Sequence, residues 1–255
     1  PKNAGRKSRQ NMTRVLSVAS ECAPLVKTGG LADVVGALPG ALKPLGVEVK
    51  TLIPGYRSVL AQLGKVKTIL RFDDLFGGPG RILQTQAAGL DLLVVDAAHL
   101  FDRGGGPYQD EAAFDWPDNA ERFAALSYAA ARLCAEGAGT WRPDIVHGHD
   151  WQAGLSAEYQ KEIAQDRAVI PFVFTIHNIA FHGTAPRDRL RSLKLADSRF
   201  APEHFEFWGQ ISTLKAALTG ADHLTTVSKT YAQELMTPEF GRGMGGVLRD
   251  RADAL

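Results

Sequence analysis

The chain has 255 residues, 45% of them hydrophobic and 22% charged, which is length and apolar content enough for one large α/β domain with its own core. Its net charge of +1 gives no field to hold nucleic acid or an anionic membrane surface. No apolar run is long enough to cross a bilayer, and the two cysteines, Cys22 and Cys134, lack metal-ligand spacing.

Those cysteines read as buried free thiols of a reducing compartment, with a disulfide between them left open. Residues 1–12 read as a disordered tail. Lys2, Arg6, Lys7, Arg9 and Arg14 precede the first acidic residue, Glu21, but the tail lacks the Ser-rich, amphipathic character of a transit peptide. Met12 is a candidate natural start. A β-like run at 15–20 leads through a Gly-rich turn into a helix at 30–45, and a strand follows at 47–54; together they make a right-handed βαβ unit. Short strands at 65–72, 81–87 and 90–96, joined by Gly-containing turns, predict a hairpin or meander insertion. Pro117 opens a helix reaching Glu136, whose Phe123, Leu126, Ala130 and Leu133 share a face and mark core. Strands at 144–148, 170–176 and 221–227 then alternate with helices at 151–164, 211–218 and 229–236. This alternation predicts a doubly wound, mostly parallel α/β sheet.

Ligands gather beyond the carboxyl ends of strands in such a sheet, and three polar clusters fall there. The first is Lys27-Thr28-Gly29-Gly30-Leu31-Ala32-Asp33-Val34. Adjacent glycines permit φ > 0 and let a ligand approach without meeting a Cβ. The helix start offers free N–H groups and a positive dipole end to a phosphate, and Lys27 adds a mobile charge. The alternative is an ordinary strand-to-helix turn with a solvated lysine; neither the dinucleotide fingerprint nor the P-loop pattern is present. The second cluster is His147-Gly148-His149-Asp150-Trp151. Asp150 fits a helix N-cap and can also accept from a sugar hydroxyl. His147 and His149 share a strand face; a zinc pair needs a third ligand that no spacing supplies, so hydrogen-bonded core histidines are expected, and no metal. Trp151 is either core packing or a sugar-stacking platform. The third cluster, His177-Asn178, sets two polar side chains directly after a buried strand, which suits sugar hydroxyls.

These clusters sit within a known wording. Ser20-Glu21 with Pro24-Leu25-Val26-Lys27-Thr28-Gly29-Gly30-Leu31-Ala32-Asp33-Val34-Val35-Gly36-Ala37-Leu38-Pro39 resembles the N-terminus of bacterial glycogen synthases and plant starch synthases. Stretches 141–154 and 175–183 are similar to that family's second and third signatures, and 102–108, 209–218 and 226–232 also match. The similarity runs from about Thr13 to the end.

The resemblance implies that 13–255 is the N-terminal, acceptor-side domain of a GT-B glycosyltransferase, in which two Rossmann-like domains face across a cleft. The C-terminal nucleotide-binding domain would be absent from this chain, leaving it inactive alone. The implied reaction is retaining transfer of glucose from ADP-glucose to the non-reducing end of an α-1,4-glucan, without metal or cofactor, in the cytoplasm or alternatively a plastid. By position, Asp150, His177 and Asn178 would be catalytic, with the backbone carbonyl near His177 steadying an oxocarbenium-like transition state. Lys27, Thr28, Gly29 and Gly30 would serve the donor diphosphate, Asp33 would support the same loop, and Tyr108 and Trp151 would contact donor or acceptor sugars. His182, Trp208 and Lys229 stand where the family usually has Gln, Asn and Pro. Two rival readings remain, a stand-alone glucan-binding module and an inactive truncated remnant.

Overall fold

The computed structural model describes residues 12–165 and 168–255; apart from Met12, the tail expected over 1–12 lies outside the described residues. The first strand, β1 (Thr13–Val18), buries Val15, Leu16, Ser17 and Val18 in succession. Consecutive strand residues point to opposite faces, so this sheet is covered on both. Then come α1 (Gly30–Leu42), a 3-10 turn at Lys43–Leu45 and β2 (Val47–Pro54). A single turn, α2 (Arg57–Leu60), precedes β3 (Lys67–Phe72), β4 (Gly80–Ala87) and β5 (Leu90–Asp96). Next are α3 (Ala98–Phe101), α4 (Asn119–Glu136) and β6 (Ile145–His149). A 3-10 turn at Trp151–Ala153 and α5 (Ser156–Ala164) lead to β7 (Phe172–Ile176). Beyond it lie β8 (Thr184–Pro186), β9 (Glu206–Phe207) and β10 (Gln210–Ser212). The last elements are α6 (Thr213–Gly220), β11 (His223–Thr226), α7 (Lys229–Leu235) and α8 (Gly245–Asp250).

Eight strands form one sheet in the order β11-β7-β6-β1-β2-β5-β4-β3. From β11 to β5 every pairing is parallel; β4 and β3 extend the edge antiparallel, as the expected meander. The chain leaves β1 toward β2 on one side and returns to β6 on the other. That reversal opens a crevice at the carboxyl ends of β1 and β6. Helix α1 packs on β2, while α4 packs on β1, β2 and α5. Both cysteines are free; burial pushes each thiol up to about 12, which leaves them unreactive.

Two regions differ from expectation. The helix expected over 151–164 is interrupted at Gly154, where a Cβ would fall 2.1 Å from the Thr213 carbonyl oxygen. The chain is pinned there against the start of α6. A second, three-stranded antiparallel sheet, β8-β10-β9, has strands too short to carry a readable period. It displaces the start of the helix expected over 211–218 to Thr213, where Ser212 caps it by accepting from the Lys215 N–H. Trp208 occupies the β9–β10 turn at φ 51, followed by Gly209 at φ 76. Asn suits such a left-handed position and an indole does not, so the departure at Trp208 strains the turn and leaves the ring 85% exposed.

Candidate active site

A cavity of about 760 Å³ opens at the carboxyl ends of β1, β6 and β7. Thr28, Gly29 and Gly30 line one side and Tyr108 another. Asp150, Trp151, His177 and Asn178 form the third. Loops far apart in sequence therefore meet on one rim.

Lys27 and Asp33 do not line the cavity. The Lys27 Nζ lies 2.7–2.8 Å from both carboxylate oxygens of Asp33, and both side chains are about half exposed. The mobile charge expected of Lys27 is thus engaged, because Asp33 sits in the first turn of α1, where a carboxylate is favoured and within reach. The role expected of φ > 0 is also corrected: Gly29 has φ −149 and Gly30 begins α1. A Cβ at either position would meet no protein atom within 4 Å. Glycine here preserves open space beside two backbone N–H groups that donate to nothing among the described residues.

Sequence reasoning assigns Glu21 no role, yet it ties two walls of the cavity together. It is 3% exposed, and its Oε1 accepts from the Thr28 hydroxyl at 2.7 Å and from the Tyr108 hydroxyl at 2.5 Å. Its Oε2 accepts from the Thr28 N–H. With the Tyr108 proton committed to Glu21, the Ser20 hydroxyl, 2.8 Å away, donates to Tyr108. Burial holds the Tyr108 phenol well above its ordinary pKa, so it remains a donor. The available signal was an acidic residue set directly beyond the first strand.

The capping role expected of Asp150 is overturned, for its side chain makes no cap bond. Its backbone, at φ 56, turns the carboxyl across to the end of β7 instead. There Oδ1 accepts from the His177 N–H at 2.7 Å and the Asn178 N–H at 3.3 Å. Burial pushes the Asp150 carboxyl up to about 7, against the opposing pull of those two donors. Near neutral pH it is therefore partly protonated, and its Oδ2, unpartnered among the described residues, can accept or donate.

His147 and His149 share a face, as expected, with ring centroids 4.2 Å apart. His147 Nε2 lies 2.7 Å from Thr175 Oγ1. His149 is fully buried and bridges Ser17 Oγ (Nε2, 3.2 Å) to His177 Nε2 (Nδ1, 3.0 Å). Burial lowers His147 and His177 to about 4 and drives His149 down as well. A neutral imidazole has one N–H, so across the His149–His177 contact one ring donates and the other accepts, which fixes the His177 ring. Among the described residues, no group of three or more His, Cys, Asp or Glu is placed to hold a metal ion. Trp151 serves as core and wall together: it packs edge-on against Phe123 at 5.0 Å, and a Cβ at Gly183 would fall 2.4 Å from its ring. The exposed Asn178 accepts from the Ala180 N–H through Oδ1, leaving its amide NH₂ free to donate.

Residues 14–250 match the family model described as the starch synthase catalytic domain. The chain is 62% identical over 244 residues to the glycogen synthase of Jannaschia sp. (strain CCS1), covering 96% of this chain and 51% of that protein. It is 55% identical over 241 residues to the glycogen synthase of Paracoccus denitrificans (strain Pd 1222), covering 94% and 51%. A solved structure, the catalytic domain of starch synthase IV from Arabidopsis thaliana bound to ADP and acarbose, matches with a TM-score of 0.80 at 28% identity, over 95% of this chain and 50% of that one. The chain thus spans about half the length of the curated relatives it matches.

Proposed function

This chain belongs to the starch synthase catalytic-domain family, and on that premise we propose that residues 13–255 are the acceptor-side domain of a cytoplasmic glycogen synthase. The proposed reaction is retaining transfer of glucose from ADP-glucose to the non-reducing end of an α-1,4-glucan. The observation that carries this reading is the convergence of the Thr28–Gly30 turn, Tyr108, Asp150 and His177-Asn178 on one cavity at the sheet's reversal point. The ADP bound to the Arabidopsis neighbour supports an adenine-nucleotide donor.

Each residue then has a task. The N–H groups of Gly29 and Gly30, at the start of α1, suit a diphosphate. Lys27 joins them by exchanging Asp33 for the anion. Glu21 holds that turn and Tyr108 in fixed relation. Asp150 anchors the His177 and Asn178 peptides, and the His177 carbonyl, which accepts from nothing among the described residues, stays available to the positive charge developing on the sugar.

Positioning a donor takes both walls of the cleft. The 255-residue chain alone should therefore give no measurable ADP-glucose-dependent elongation, while a chain of the relatives' full length carrying these residues should turn over. Near-normal turnover by the 255 residues alone would overturn the half-cleft reading. Co-sedimentation with glycogen, without turnover in the full-length context, would favour a glucan-binding module instead. Gly30→Ala separates binding from folding: stability should hold or rise by up to about 1 kcal/mol, since Ala is the better helix former. ADP-glucose affinity should fall about tenfold or more, as a methyl group enters the ligand's space. Urea unfolding beside calorimetric titration of the full-length protein reads both, and a clear loss of stability would assign Gly30 to packing.

A further inference from the structure

A second cavity, of about 300 Å³, adjoins the cleft and shares Gly106 and Pro107 with it. Arg57, Arg103 and Arg122 line it, and no carboxylate does. Arg57 and Arg103 are paired with Asp102 and Asp118 at 2.7 and 2.5 Å. Arg122 differs: it is 1% exposed and has no carboxylate within ion-pairing distance among the described residues. Its Nε and Nη1 donate to the Leu100 carbonyl, the Pro107 carbonyl and Asn119 Oδ1 at 2.7–2.8 Å. Its Nη2 makes no hydrogen bond among the described residues. A buried guanidinium without a counter-charge is costly.

Tyr56 also lines the cavity, but its hydroxyl is sealed from solvent and offers a ligand no donor. An unpaired cation therefore faces one pocket that is too small for a glucan chain and is walled by arginine. One chemistry satisfies all of these features.

We propose that this cavity binds a small phosphate-class anion, inorganic phosphate or the phosphate of a phosphomonoester, held by Arg122 and Arg57. The site connects to the cleft through hydrogen bonds. Arg122 donates to the Pro107 carbonyl and to Asn119, and Asn119 donates to the Tyr108 carbonyl at 2.8 Å. An anion that steadies Arg122 steadies the loop carrying Tyr108. The site stands independently of the transferase reading.

The test is isothermal titration of the 255-residue chain with inorganic phosphate and, separately, glucose 6-phosphate, at ionic strength matched with chloride. Saturable binding of one equivalent is expected for at least one of them. Arg57→Gln should weaken it about tenfold, with the urea midpoint unchanged. Binding of phosphate itself identifies the free anion as sufficient; binding of the ester alone identifies a sugar phosphate. Absence of saturable binding, or an affinity that Arg57→Gln leaves unchanged, would overturn the proposal.

Discussion

Asp150→Asn, in a chain carrying both halves of the cleft, should lower kcat for glucosyl transfer by about a hundredfold or more while leaving the fold intact. The amide oxygen can still accept from the His177 and Asn178 N–H groups, and Asn tolerates the φ of 56 found there. What disappears is the ionisable oxygen on the cavity side. Asp150→Ala removes the acceptor as well and should destabilise by about 2–4 kcal/mol, the cost of leaving two N–H groups unpaired. The sign of the pH dependence follows from burial. The folded-state value near 7 stands above the ordinary 3.8, so stability relative to Asp150→Asn is greatest below pH 4. It falls as pH rises through 7, by on the order of 4 kcal/mol. Urea unfolding of both proteins from pH 4 to 8 measures this difference; a flat line would show a carboxyl already ionised throughout.

Glu21→Gln should produce the second large effect. Three donors converge on two carboxylate oxygens: the Thr28 N–H, the Thr28 hydroxyl and the Tyr108 hydroxyl. An amide offers only one oxygen. If that oxygen faces the Thr28 N–H, the amide NH₂ meets two hydroxyls that must both turn to accept. The loss of charge-assisted bonds should destabilise by about 2–3 kcal/mol. On the proposed function, because Glu21 joins the Thr28–Gly30 turn to Tyr108, KM for ADP-glucose should rise about tenfold in a chain carrying both halves of the cleft. A double-mutant cycle with Tyr108→Phe should show coupling above about 0.5 kcal/mol. Additive effects would mean that the two walls are held independently.

The strands, their order in the chain and the helix face of Phe123, Leu126, Ala130 and Leu133 were legible because burial at regular spacing is recorded by near neighbours. The places of Asp150 and His177 followed from the ends of their strands. Glu21 was not legible in the same way, since its partner Tyr108 lies 87 residues away. Arg122 sits beside Phe123 on α4, and local pattern gives no reason for a guanidinium to be buried there. Its carbonyl partners come from Leu100 of α3 and from the loop at Pro107.

The amino-acid order by itself determined the parallel α/β scaffold, the family and the loops that face the cleft, because each depends on residues adjacent along the chain. Tertiary structure alone decided the partners. Parallel register sets Ser17 beside His147 and His149 beside Thr175, which brings the β1, β6 and β7 ends level. Only then can His149 span from Ser17 to His177, or Asp150 reach the His177 N–H instead of capping its own turn. Hydrogen bonds select on distances of tenths of an ångström and on direction, and neither exists until distant segments are packed side by side.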